Sequence, residues 1–183
     1  MDVREIFVPA FTNNKNLEKR DKKSPEFVVK TFLLANDYRE LAHKLRTMQS
    51  DTNSLPSPIA MLFAFSCELF LKALIKFCNE NGKAHGHELK KLFQNVNNEE
   101  IKEIMRNVYN EKFGNDEQTM DSSLNNIFPV GFEDTLARFN EAFEYLRYEN
   151  EYVELWADSA FLPWFADTLY MICEQKQLRK HGI

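Results

Sequence analysis

Residues that build loops and turns are scarce in this chain: five glycines and six prolines in 183 positions. That scarcity argues against a loop-rich all-β fold and against long disordered tails, both of which draw on glycine and proline. Cysteine is also sparse. Cys67, Cys78 and Cys173 are odd in number and lack CxxC spacing, so a disulfide scaffold is not expected and a reducing cytoplasm is. There is no basic excess either. The 23 Lys and Arg stand against 28 Asp and Glu, a net charge of −5, so RNA would meet no global attractive field and would need a local patch. The opening MDVREIFVPAF carries early acids and no long apolar run, and we read no signal peptide there. The closest approach to a membrane span, IAMLFAFSCELFLKALIKFC at 59–78, is interrupted by Glu68, Lys72 and Lys76. It reads as a buried helix, and no membrane partner is expected.

What the chain does have is apolar volume. Hydrophobic residues make up 44%, with 16 phenylalanines, so the expected core is built largely from aromatic rings. Residues 1–25 read as an N-terminal segment, with the polar stretch FTNNKNLEKRDKKSP at 11–25 as a mobile basic arm. A helix is expected from Pro25, in the first turn after Ser24, to about residue 49. DTNSLPSP breaks it, and Ser57 with Pro58 starts a second helix to about residue 80. There Ile59, Phe63, Phe70, Leu74 and Phe77 fall on one face, and Met61, Phe65, Leu71 and Ile75 cover much of the rest, the pattern of a central helix. Gly82 marks its end. HELKKLFQNV reads as a short helix and NNEEIKEIMRNVYNEKF as another with an asparagine cap. After a polar connection at 114–131, Phe132 to Tyr148 read as a further helix, and AFLPWFADTLYMICEQK as the last, capped by Ser159 with Pro163 in its first turn. No strand-like alternation or internal repeat is visible. The expected fold is all-α: an up-down bundle of about four long helices over residues 26–178, with short helices between the second and third, and a tail at 179–183.

SCELFLKALIKFCNENGKAHGHELKKLF, residues 66–93, resembles the HEPN family of small helical domains. The resemblance rests on Glu68 and Lys72 four apart on the second helix, a glycine turn, His87 and a short Leu-rich helix. The region of Phe143, Arg147 and Tyr148 is similar to the family's final motif, and the likeness covers about 27–175. It implies a helical bundle that usually dimerises. It also implies either a metal-independent RNase of defence or toxin–antitoxin systems, or a non-catalytic RNA-binding or interaction module. The nuclease members carry an Arg followed after four to six residues by a His. Here Tyr152, Val153 and Glu154 stand where that His belongs, and no other Arg has a His at that spacing. Metal-free RNA cleavage needs a group to take the 2′-hydroxyl proton as well as charge stabilisation at the phosphate. Arg147 suits only the second task. The expectation is therefore a non-catalytic module, homodimeric and linked to RNA or a cognate protein. The alternative is a divergent RNase in which His87 or Tyr152 moves the proton.

Among individual residues, Arg147 lies at the edge of the stripe Phe132, Leu136, Phe139, Phe143 and Leu146. It is expected to pair with Glu68 in a buried, bundle-specifying contact. Lys72 offers Glu68 a second partner along its own helix, on an edge that continues to Lys76. Tyr145, Tyr148 and Tyr152 share the opposite face of the Arg147 helix and form the candidate interface. His85 and His87, with Cys78 nearby, and the single Glu40-x-x-His43 are too few for a recognisable metal centre, so neither metal nor cofactor is expected, and a metal-binding helical bundle stays as a minor alternative. Lys15, Lys19, Arg20, Lys22 and Lys23 form the only dense basic cluster, an electrostatic tether at most.

Overall fold

A computed structural model describes residues 25–48, 57–113, 131–140 and 160–178. Among these residues there are six helices and no strand: α1 Pro25–Thr47, α2 Ser57–Cys78, α3 Leu89–Asn95, α4 Glu99–Phe113, α5 Phe132–Arg138 and α6 Phe161–Gln175. The chain is all-α. The arm, including its five basic residues, and the tail beyond residue 178 lie outside the described residues.

The apolar pattern of α2 explains its place. Ile59, Phe63, Phe70, Leu71, Leu74 and Ile75 are all buried, and burying such side chains stabilises by about 1.5–3 kcal/mol each. α2 has the length and apolar content of a membrane span, and 67% of that apolar window is buried inside the protein. Small side chains let α1 approach it closely. Ala35 and Ala42 on α1 and Ala60, Ala64 and Ala73 on α2 are buried, and Ser66 Oγ donates to the Ala35 carbonyl at 2.8 Å. α6 packs on α2 through Phe161, Leu162, Phe165, Leu169 and Cys173.

The remaining helices close over an aromatic cluster. Phe93 of α3 meets Phe132 of α5 edge-on, centroids 5.1 Å apart, and Phe113 of α4 meets Trp164 of α6 at the same distance. Tyr109 sits between Phe132, Phe161 and Trp164. Its hydroxyl lies 2.7 Å from Thr135 Oγ1, which donates to the Gly131 carbonyl, so Tyr109 is the donor of the pair.

Local signals account for the helix ends. Asn98 caps α4, its Oδ1 accepting from the Ile101 amide at 3.0 Å. α2 is closed by Gly82, whose amide donates to the Asn79 carbonyl at 2.7 Å. A Cβ there would stand 2.6 Å from Ile75 Cγ2 and 2.8 Å from the Asn79 carbonyl oxygen, so the glycine is required by close approach. Pro163, in the first turn of α6, forfeits no helical hydrogen bond.

One expectation needs correcting. The helix read from Phe132 through Tyr148 ends at Arg138, and Phe139 and Asn140 form a turn closed by bonds to Leu136 and Ala137. The physical reason is a contact with a distant part of the chain. Asn140 turns away from the helical path, and its Oδ1 accepts from the Lys90 amide at 2.9 Å, capping the start of α3. The described part of the expected stripe is buried as its spacing implied, at Phe132, Leu136 and Phe139.

Candidate functional site

Glu68 is only 2% exposed, and both of its carboxylate oxygens are engaged. Lys72 Nζ donates to Oε1 at 2.5 Å, one helical turn along α2. His87 Nδ1 lies 2.9 Å from Oε2. Because an ionised carboxylate can only accept, Nδ1 is the donor of this contact. The exposures are graded: the Glu68 side chain is 3% exposed, Lys72 17% and His87 66%. The site is thus a buried anion with a cation beside it and an imidazole at the surface.

Two features of the intervening chain deliver His87 to that position. Gly86 has φ +91°, a conformation that side chains disfavour, and the chain bends there immediately before the histidine. Leu89, Leu92 and Phe93 then bury one face of α3, fixing the segment that carries His87. α3 has no side-chain cap from Glu88; Asn140 supplies the partner for its first turn.

The sequence-based site residues divide into two groups. Glu68, Lys72 and His87 are brought together. Arg147, Tyr145, Tyr148 and Tyr152 lie outside the described residues, as does the expected Glu68–Arg147 pair. The Lys72 edge was read as partly solvated. Lys72 and Lys76 are partly exposed there, and Glu68 is buried, as expected for it, in contact with His87. Glu40 and His43 diverge: Glu40 accepts from Asn36 Nδ2 at 3.0 Å, and His43 Nε2 meets Asp167 Oδ1 at 2.9 Å. Among the described residues no three His, Cys, Asp or Glu side chains converge on a common point.

A second polar cluster joins α1 to α6 and was not anticipated. Arg39 Nη1 donates to Asp167 Oδ1 at 2.7 Å, and its Nε and Nη2 donate to Asn36 Oδ1 at 3.2 and 3.1 Å. The guanidinium lies over the Tyr170 ring, 4.1 Å from its centroid. His43 shares the same Asp167 oxygen and meets Phe63 edge-on. The available signal was Asn36, Arg39 and His43 recurring at i, i+3 and i+7, polar residues on one face of α1. Arg39 is fully engaged within the protein, so the cluster reads as an interhelical clamp.

The three cysteines are free thiols. Burial pushes those of Cys67 and Cys173 well above the ordinary value of 9.0, and Cys78 is raised for the same reason. None is poised as a nucleophile.

Comparison of the chain with protein-family models, with curated proteins and with solved structures finds no match.

Proposed function

We propose that the chain is a HEPN-like helical module that acts by binding, as a cytoplasmic homodimer in RNA-linked defence or toxin–antitoxin biology. The observation that supports this reading best is the engagement of Glu68. A glutamate buried to 2% exposure with both oxygens held by Lys72 and His87 organises the fold of 66–93. It ties the Glu–Lys pair, the glycine turn and the histidine of the HEPN-like segment into one unit, and it leaves the carboxylate no open face for a substrate. RNA, a cognate protein partner and a contact face for a dimer or a partner at Tyr145, Tyr148 and Tyr152 belong to the same proposal.

A second reading, the divergent metal-independent RNase, draws on the exposed side of the same unit. A carboxylate that orients a surface imidazole through Nδ1 is the arrangement a general base requires. Cleavage of labelled single-stranded RNA in EDTA decides between the two, with wild type, Arg147→Ala and His87→Ala compared side by side. The binding reading expects no cleavage by any of the three, together with RNA or partner binding by the wild type. Cleavage lost in both variants, with fold retained, would overturn it in favour of the RNase.

A further inference from the structure

α1 has two apolar faces, and only one of them is used by the described core. Val28, Ala35 and Ala42 are buried, whereas Leu34 is 45% exposed, Leu41 45%, Leu45 36% and Met48 81%. Five of the six exposed large hydrophobics of the described residues belong to α1 and the turn that ends it. Their spacing is regular. Leu34, Leu41 and Met48 recur every seven residues, and Tyr38 and Leu45 follow the first two by four. At 100° per residue the five lie within roughly 80° of one another, the seam of a heptad repeat. Tyr38 carries the seam onto α2 through its edge-on contact with Phe65, centroids 4.8 Å apart.

The charges beside the seam select what can cover it. Lys30, Asp37 and Lys44 also recur every seven residues, on the flank away from the buried alanines. Lys30 is paired with Glu26 in its own helix. Asp37 and Lys44 are exposed, and neither has an ion-pair partner among the described residues. In an antiparallel pair of such helices, the seam residues interlock in layers and these flanking positions face each other. Three registers, one heptad apart, set the exposed seam of α1 against itself; a further shift, which pairs Lys30 with Asp37, would need the buried Thr31 opposite Leu34. One sets Asp37 on Asp37 and Lys30 on Lys44, and another sets Lys44 on Lys44. Only the register between them sets Asp37 against Lys44, twice by symmetry. A parallel pair gains no such contact, because its opposing flank holds Val28, Ala35 and Ala42.

We infer that the exposed seam of α1 is the contact surface for a second copy of this chain, packed antiparallel with Leu34 against the partner's Leu45 and Tyr38 against the partner's Leu41. Asp37 then meets the partner's Lys44 on both sides of the twofold axis. The seam spans few layers, so the association is weak and reversible. The inference names a face other than the three tyrosines, and it stands or falls independently of the HEPN-like reading.

Sedimentation velocity on the full chain tests it, at about 10 and about 200 μM because the seam is smaller than a standard interface. The wild type is expected to shift from monomer to dimer over that range. Leu41→Glu is expected to abolish the shift. Asp37→Lys and Lys44→Asp are each expected to weaken the dimer by about tenfold or more, since like charges then face each other. The double variant Asp37→Lys/Lys44→Asp recreates the opposite-charge contact and is expected to recover the dimer. These positions are exposed, and unchanged helical circular dichroism verifies that each variant is folded. A wild type that stays monomeric at the higher concentration overturns the inference. So does a dimer indifferent to Leu41→Glu, or a double variant no better than the single ones.

Discussion

Glu68→Ala removes the anion that holds Lys72 and His87 at once, and the structure sets the size of the effect. Breaking a buried ion pair by deleting one partner costs about 3–5 kcal/mol. The groups left behind moderate that figure. His87 is 66% exposed and regains water, whereas Lys72, at 17%, regains it only in part. The expected loss is therefore at the lower end, about 3 kcal/mol. For a domain of this length, ~1 kcal/mol moves Tm by about 2–4 °C, so the midpoint should fall by about 6–12 °C. Replacing both members by apolar residues of similar volume, Glu68→Leu with Lys72→Met, leaves no uncompensated charge and should restore most of the loss. The assay is urea unfolding followed by circular dichroism for wild type, each single variant and the double. A loss below about 1 kcal/mol for Glu68→Ala would refute the reasoning, because surface substitutions cost no more than that. A double variant whose loss equals the sum of the single ones within about 0.5 kcal/mol would refute it equally, since contacting residues must couple.

Arg39→Met should cost about 1–2 kcal/mol, as it removes the hydrogen bonds to Asp167 and Asn36 while Asp167, 42% exposed, stays hydrated; an unchanged urea midpoint would show that the α1–α6 clamp contributes nothing. The buried thiols make stability depend on alkaline pH. Unfolded cysteines ionise as pH rises past 9.0, while burial keeps Cys67 and Cys173 protonated in the folded state. The unfolded chain then binds fewer protons, so stability falls above that pH. Between about pH 8 and about pH 10 the urea midpoint should drop more steeply in wild type than in Cys67→Ala/Cys173→Ala, and equal slopes would contradict the assignment.

The helix class and the central place of α2 were legible because both follow from local periodicity. An eleven-residue window around Phe70 already shows apolar residues all round. Asn98 was readable for a similar reason, since a cap acts on the amide three residues on. What escaped the sequence depends on residues far apart in the chain. Glu68 was read as buried, but its partner His87 stands nineteen residues later, and no local spacing points to it. Nothing near Arg39 announces Asp167, 128 positions away. The end of α5 escaped because its apolar spacing continues through Phe143 and Leu146, whereas the turn at Asn140 is set by a backbone amide on α3. On α1 only the structure separates the buried apolar face from the exposed one.

The capping of α3 by Asn140 also bears on how the molecule opens. A helix of seven residues has too little cooperativity to persist alone, and α3 is held at its start by a side chain fifty positions downstream. α3 and the end of α5 are therefore expected to open as one unit, with His87 leaving Glu68 while α1 and α2 keep their packing. Exposure of the buried carboxylate would then be a sub-global event with its own free energy, below that of complete unfolding. Amide protons of α3 should exchange with solvent at rates shared with α5 and separate from those of α2.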